Sequence, residues 1–406
     1  MAMSLAPEDY ARGFDARVAE VLPRLGAAVP AFARRLEDAG VDQRELRDVE
    51  TLSRVPVLAK DELISLQAET PPFGGLLAAG ARPRRVYQSP GPLYEPEPHE
   101  RDPWRWGPAL EAAGFAADEI VLCAFGYHLS PAGAMFEEAA TALGCTVLPG
   151  GIGNVELQAR ACRDLRVAGY MGLPSYLKKL LEAIEGGNGE GTPLRRAFVS
   201  AEPLPGSLRD WLRERVSVVR QGYGTAETGN LGYECEAEEG LHVPEDALVQ
   251  VCALDDGRPL PAGAEGEVVA TLFREDYAIV RFGTGDLSAF LEEPCACGRR
   301  TPRLAGWLGR AGEAVKVRGM FLHPRQVRAA MEGWADVVGY QFVIDRVDER
   351  DELRCEVQLR DGADQAAVLA GVRDRIRSGL RFNAEVVAAD SVDPVGPLLV
   401  DERAWD

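Results

Sequence analysis

Residues 104–221 alternate helical and apolar segments with unusual regularity. Short apolar runs at 119–125 (EIVLCAF), 145–148, 167–171, 194–200 and 216–221 are separated by segments at 133–143, 155–164, 175–184 and 205–215 that carry apolar residues at helical spacing. A helix at 104–116 precedes them. Strands joined through helices cannot be hairpins, so this pattern predicts an α/β fold: mostly parallel sheet covered by helices. Before it, Tyr10, Phe14, Val18, Leu22 and Leu25 form one apolar helical stripe. The Gly- and Pro-rich stretch 71–101 reads as loop. After Gln221 short β-type runs at 248–254, 265–272 and 278–282 predict a β subdomain at about 232–300. Beyond Gly309 mixed strand and helix patterns predict a small, mobile α+β domain. The expected boundaries are therefore 1–308 and 309–406.

At 406 residues the chain can bury a large core. Its net charge of −19 argues against a nucleic-acid coat or a polybasic membrane binder. No apolar run approaches the roughly 20 residues of a membrane helix, and the first ten residues lack a signal pattern. Eight cysteines are too sparse for a disulfide scaffold, so a cytoplasmic setting is expected. A homodimer is left open. Lysine is scarce: Lys60, Lys178, Lys179 and Lys316 are the only four.

Three motifs carry candidate chemistry. The first, Tyr223-Gly224-Thr225-Ala226-Glu227, follows the apolar run at 216–221, where ligands of parallel sheets bind. Tyr223 offers a ring, and Glu227 a hard oxygen for Mg²⁺; an ordinary strand-to-loop turn is the alternative. The second, RFGTGDL at 281–287, sets Asp286 among glycines as an acceptor for a sugar diol, or as a turn cap. The third gathers Arg310, Lys316 and Arg318 at the expected domain boundary, where with Arg281 they could bind an anion. Separately, Cys235, His242, Cys295 and Cys297 form a candidate tetrahedral Zn²⁺ set, structural because four protein ligands leave no open position.

In this order the motifs resemble the adenylate-forming acyl-CoA synthetases, and most nearly the phenylacetate–coenzyme A ligase family. The resemblance runs from about Val55 to the C-terminus. It is strongest in QGYGTAETG, in the 281–310 segment and in VKVRGMFLHPRQV. It implies that ATP and a carboxylic acid form an acyl adenylate, which is then passed to coenzyme A. It also implies roles: Tyr223, Gly224 and Thr225 beside adenine, Asp286 on the ribose, Arg310 on ribose or phosphate, Glu227 on magnesium, and Lys316 as a catalytic cation. Tyr127 and His128 would line the acid pocket, with Ser200, Ala201 and Glu202 nearby.

Four positions depart from the family pattern. The stretch 87–96 (YQSPGPLYEP) has three prolines, no lysine, and Glu95 where a phosphate cradle needs a cation. Ala226 precedes the motif glutamate in place of a hydroxyl residue, and Gly312 stands at the hinge. No lysine follows Lys316, and Arg403 is the only cation near the family's C-terminal lysine position. A ligase with slow adenylation is expected; the alternative is a catalytically weakened protein that binds AMP, an acyl adenylate or an acyl-CoA.

Overall fold

The computed structural model describes residues 4–89, 93–188, 191–313, 315–317, 320–322, 324–347 and 350–403. Two compact units are present, Met1–Trp307 and Leu308–Asp406. Pro90 to Pro92 of the expected phosphate loop, and Arg318 and Gly319 of the third motif, lie outside the described residues.

The first unit is built on an eight-stranded sheet. Its strands are β3 (Ile120–Cys123), β4 (Thr146–Pro149), β5 (Gly169–Gly172), β6 (Arg196–Val199), β7 (Val218–Thr225), β8 (Gly229–Tyr233), β9 (Leu241–His242) and β13 (Arg303–Leu304), in the order β13-β9-β8-β7-β6-β5-β3-β4. The half from β4 to β7 is parallel, and β7, β8, β9 and β13 pair antiparallel. Alternate side chains serve opposite faces. Val121, Cys123, Met171 and Phe198 enter one core; Leu122, Ala124, Tyr170, Ala197 and Val199 enter another. Both faces are covered, which is why these strands read as continuous apolar runs rather than alternating ones.

The segment expected as a β subdomain is divided. Its first strands, β8 and β9, extend the main sheet. Strands β10 (Ala247–Cys252), β11 (Gly266–Leu272) and β12 (Phe282–Ser288) pair antiparallel in a second sheet. The N-terminal stripe packs there: Tyr10, Phe14, Val18, Leu22 and Leu25 share a core with Val249, Val251, Val268 and Ala270.

Two expectations are corrected. The stretch 71–101 is not all loop, since β1 (Arg85–Gln88) and β2 (Tyr94–Glu97) form an antiparallel hairpin. Glu97 anchors it, with Arg85 Nη2 at 2.8 Å and the Tyr87 hydroxyl at 3.1 Å from its carboxylate. Pro96 disguises β2, yet proline is tolerated in a two-stranded ladder with a free edge. Likewise the first motif does not follow its strand: β7 continues through Thr225, because Gly222 to Thr225 pair with β8.

Trp106 explains the glycines there. A Cβ on Gly222 would meet the Phe198 ring at 2.5 Å and Trp106 at 2.9 Å. One on Gly224 would meet the Gly229 carbonyl oxygen at 2.1 Å and Trp106 at 2.9 Å. Asp102 sets the indole in place, accepting bonds from the backbone of Trp106 (3.1 Å) and Gly107 (2.6 Å).

In the second unit β17 (Val337–Val347) and β18 (Arg350–Leu359) form a long antiparallel pair, flanked in parallel by β20 (Leu399–Asp401) and β19 (Glu385–Ala389). Helix Gln365–Arg375 shares their core through Val368 and Val372. The remaining strands are β14 (Gly309–Arg310), β15 (Val315–Val317) and β16 (Met320–Leu322), the last two a hairpin. Among the described residues no helix is long and apolar enough to cross a membrane.

The glycine packing is testable. Gly224→Ala drives a methyl into backbone and should cost about 3 kcal/mol, the upper end for overpacking. Gly206→Ala meets nothing within 4 Å and should leave stability unchanged or slightly raised. Urea denaturation of both variants checks the contrast.

Candidate nucleotide and metal sites

Strands of two different sheets bring the first two motifs together. The Tyr223 hydroxyl, on β7, lies 3.0 Å from Asp286 Oδ2 and 3.2 Å from Thr284 Oγ1, both on β12. Trp307 Nε1 donates to Asp286 Oδ1 at 2.9 Å. Asp286 is buried and held at both oxygens. Trp307 was not legible as a site residue, since nothing in its local sequence marks an indole aimed at a carboxylate. Thr225 Oγ1 lies 3.0 Å from Thr228 Oγ1.

At the end of β6, Ser200 Oγ donates to the Gly222 carbonyl at 2.8 Å. Ala201 is exposed with φ of 68°, and the exposed Glu202 accepts a bond from the Ser175 backbone at 3.3 Å. Tyr127 follows β3 and packs its ring so closely that a Cβ on Gly133 would sit 2.8 Å from it. Burial raises its phenol above the ordinary value, with Cys123 and Glu137 as neighbours. His128 is exposed.

Glu227 is fully buried at its side chain, and Lys60 Nζ stands 2.8 Å from Oε1. Apart from that ion pair, neither carboxylate oxygen has a hydrogen-bond partner among the described residues. Such an orphaned carboxylate fits a hard divalent cation, provided Lys60 yields the oxygen it holds. Glu95 is buried beside this pair. Burial, and then the charge of Glu227, push its carboxyl well above the ordinary range against the opposing pull of Lys60 and Arg274. Sequence reading found Glu227 and Glu95 but missed Lys60, which is more than 160 positions from the motif it serves.

Arg310 and Lys316 belong to the second unit. Arg310 is exposed at the end of β14, and Lys316 pairs with Phe321 across the β15–β16 hairpin. Arg403, considered as a replacement cation, is engaged within its own unit. Its Nη1 is 3.1 Å from Asp351 Oδ2 and its Nη2 2.6 Å from Asp401 Oδ2. Arg281, grouped by charge with the boundary cluster, is buried, with its Nη1 3.5 Å from Gln250 Oε1. It therefore serves the core of the first unit.

The cysteine and histidine set converges. The ligand atoms of Cys235, His242, Cys295 and Cys297 all lie within 4.8 Å of one another. Cys235 Sγ is 3.6 Å from Cys295 Sγ, and Cys297 Sγ is 3.3 Å from His242 Nε2. A zinc tetrahedron with Zn–S near 2.3 Å has S···S edges of about 3.8 Å. His242 Nδ1 lies 2.9 Å from the Thr301 carbonyl. Donation there leaves the Nε2 lone pair facing the sulfurs. Backbone N–H groups of Ala237 and Arg299 point at Cys235 and Cys297, each at 3.4 Å. Burial pushes the Cys235 thiol up to about 12. Burial also acts to raise Cys297, but hydrogen bonds from Arg299, Cys295 and Cys235 together outweigh it and hold this thiol below its ordinary value.

Comparison with known proteins gives the family and the fold. Residues 107–271 match the family described as AMP-binding enzyme. The phenylacetate-coenzyme A ligase of Thermus thermophilus is 32% identical over 82% of this chain and 78% of its own length. That of Escherichia coli is 27% identical over 88% of this chain and 86% of its own. Among solved structures, an open conformation of 2-hydroxyisobutyryl-CoA ligase, in complex with its acyl adenylate and CoA, superposes with a TM-score of 0.84. It covers 98% of this chain and 93% of its own at 22% identity.

Burial lowers the pKa of His242 to about 4, against about 6.5 for an unfolded histidine. The unfolded chain therefore takes up this proton first as the pH falls. The associated stability is complete above pH 6.5 and is lost progressively down to about pH 4. In chelator-treated protein the urea midpoint of wild type should fall across that window more steeply than that of His242→Gln.

Proposed function

Because this chain belongs to the phenylacetate–coenzyme A ligase family, whose members are ATP-dependent acid–thiol ligases, we propose that the Tyr223–Asp286 pair and Glu227 form its adenylate site. The observation that carries this reading is the convergence of Tyr223, Asp286 and Trp307 in one unit with a buried carboxylate that, apart from Lys60, has no hydrogen-bond partner among the described residues. In the first step an oxygen of the acid attacks the α-phosphorus of ATP, and pyrophosphate leaves. In the second, the CoA thiol, losing its proton, attacks the acyl carbon, and AMP leaves.

Asp286 accepts from the ribose hydroxyls, and Tyr223, tethered through its own hydroxyl, presents its ring to the adenine. Glu227 offers its free oxygen to Mg²⁺, which when bound would neutralise charge on the phosphates. Arg310 and Lys316 are the second unit's candidate cations for phosphate oxygens that become more negative during the reaction. Tyr127 and the 200–202 segment border the acid. His128, exposed, is assigned no contact.

Calorimetric titration should show AMP binding at least as tightly as ATP, since the described part of the 87–96 stretch supplies Glu95 and no cation. Asp286→Ala should abolish AMP binding. Pyrophosphate release from ATP should depend on an added acid, tested with aryl and small aliphatic acids; release with none of them would count against ligase chemistry at this site.

The four-residue cluster is proposed as a structural zinc site, with Cys235, His242, Cys295 and Cys297 all bound to the metal. Metal analysis of untagged protein should give near-equimolar zinc. Cys297→Ser should lose most of it and lower the melting temperature; full zinc retention would remove Cys297 from the set.

A further inference from the structure

A second cavity lies in the first unit, where helix Pro7–Arg12 and the start of helix Asp15–Ala28 meet the short helix Val49–Leu52 and β10, an end strand of its sheet. Its volume is about 480 Å³, the size of a small-molecule site rather than of a bare ion. No residue assigned above to the adenylate site is among the described residues that line it. Its body is apolar, formed by Val249, Val251, Leu260 and Phe290.

The charged groups of the lining are of one sign. Glu8, Asp15, Asp48 and Glu50 face a single cation, Arg12, which is already paired with Asp9. Two of these carboxylates are fixed by the fold. Asp15 Oδ1 accepts the Val49 N–H at 2.9 Å. Asp48 Oδ1 accepts the Thr51 N–H at 2.7 Å and its hydroxyl at 2.6 Å. The Thr51 bonds hold the Asp48 carboxyl below its ordinary range. Each aspartate spends one oxygen in this way, and the Oδ2 atoms have no hydrogen-bond partner among the described residues.

Gln250 is the buried polar side chain of the lining, with 4% exposure. Its Oε1 lies 3.5 Å from Arg281 Nη1. A guanidinium only donates, so this contact fixes which way the amide points. The Nε2 donor is left without a hydrogen-bond partner among the described residues. An unpaired buried donor is unfavourable, and an acceptor in the cavity would satisfy it.

We propose that this cavity binds a small organic cation. Its ammonium sits between Asp15 and Asp48, its hydrocarbon body covers Val249, Val251, Leu260 and Phe290, and its far end presents a carbonyl to Gln250 Nε2. The acidic rim repels carboxylic acids and nucleotides, so the ligand differs in class from those of the adenylate site, and the inference does not rest on that reading.

The test is calorimetric titration of the full chain with a chain-length series of ω-aminoalkanamides, beside the matching alkylamines, alkanamides and ω-hydroxyalkanoates. At least one aminoalkanamide should bind saturably, about tenfold more tightly than its matching alkylamine or alkanamide. The hydroxyalkanoates should not bind, and added salt should weaken the amines. The double variant Asp15→Asn/Asp48→Asn removes both charges while asparagine keeps an acceptor for each N–H. It should bind the same amide about tenfold more weakly. Glu8→Gln/Glu50→Gln, which touches no cap, should weaken it severalfold. Absence of saturable binding by every aminoalkanamide, or unchanged affinity in both double variants, would overturn the site. Equal binding of the alkanamide would overturn the preference for a cation, and equal binding of the alkylamine would overturn the role of Gln250.

Discussion

The hydrogen-bond ladder of strand β7 is the constraint on which the rest of the first unit depends. On one side it pairs parallel with β6, and on the other antiparallel with β8. A strand with partners on both sides cannot shift register without moving every side chain to the opposite face. Tyr223 is thereby fixed opposite Asp286, and Glu227 is carried into the interior just beyond the strand end. The price is steric. Trp106 and Phe198 press on the backbone so closely that only glycine fits at 222, and Gly229 leaves no room for a side chain at 224.

Burial then sets the chemistry of the charged groups. Two carboxylates, Glu95 and Glu227, are taken out of water near one another, and two such neighbours resist both being ionised. Lys60 contacts Glu227 directly and acts on Glu95 only at longer range. An uncompensated buried charge costs several kcal/mol. The ion pair is therefore part of the structure of the free protein.

The cysteine and histidine cluster belongs to a different layer of the design. His242 sits where β9 pairs with β13, Cys235 lies just past β8, and Cys295 and Cys297 come from the turn before β13. These are the outer strands of the antiparallel extension, two of them only two residues long. Such short strands bring few ladder hydrogen bonds of their own. Four ligand atoms gathered within 4.8 Å can cross-link them from the side.

The local sequence determined a good deal. The apolar runs from 119 to 221 specified a parallel sheet because strands covered on both faces must be apolar at every position. The stripe from Tyr10 to Leu25 specified a helix with one buried face. Glu227, Asp286 and the cysteine and histidine set were legible because their chemistry needs particular atoms at particular spacings, and the family resemblance lay in contiguous strings. Tertiary structure alone decided the hairpin hidden among the prolines of 85–97, the continuation of β7 through its motif, and the commitment of Arg281 and Arg403 to local partners. It alone joined Trp307 to Asp286 and Lys60 to Glu227. The physical reason is shared. Hydrogen bonds and ion pairs act over about 3 Å in space, whereas sequence patterns report only neighbours along the chain, so partners brought together by folding leave no mark in either local string.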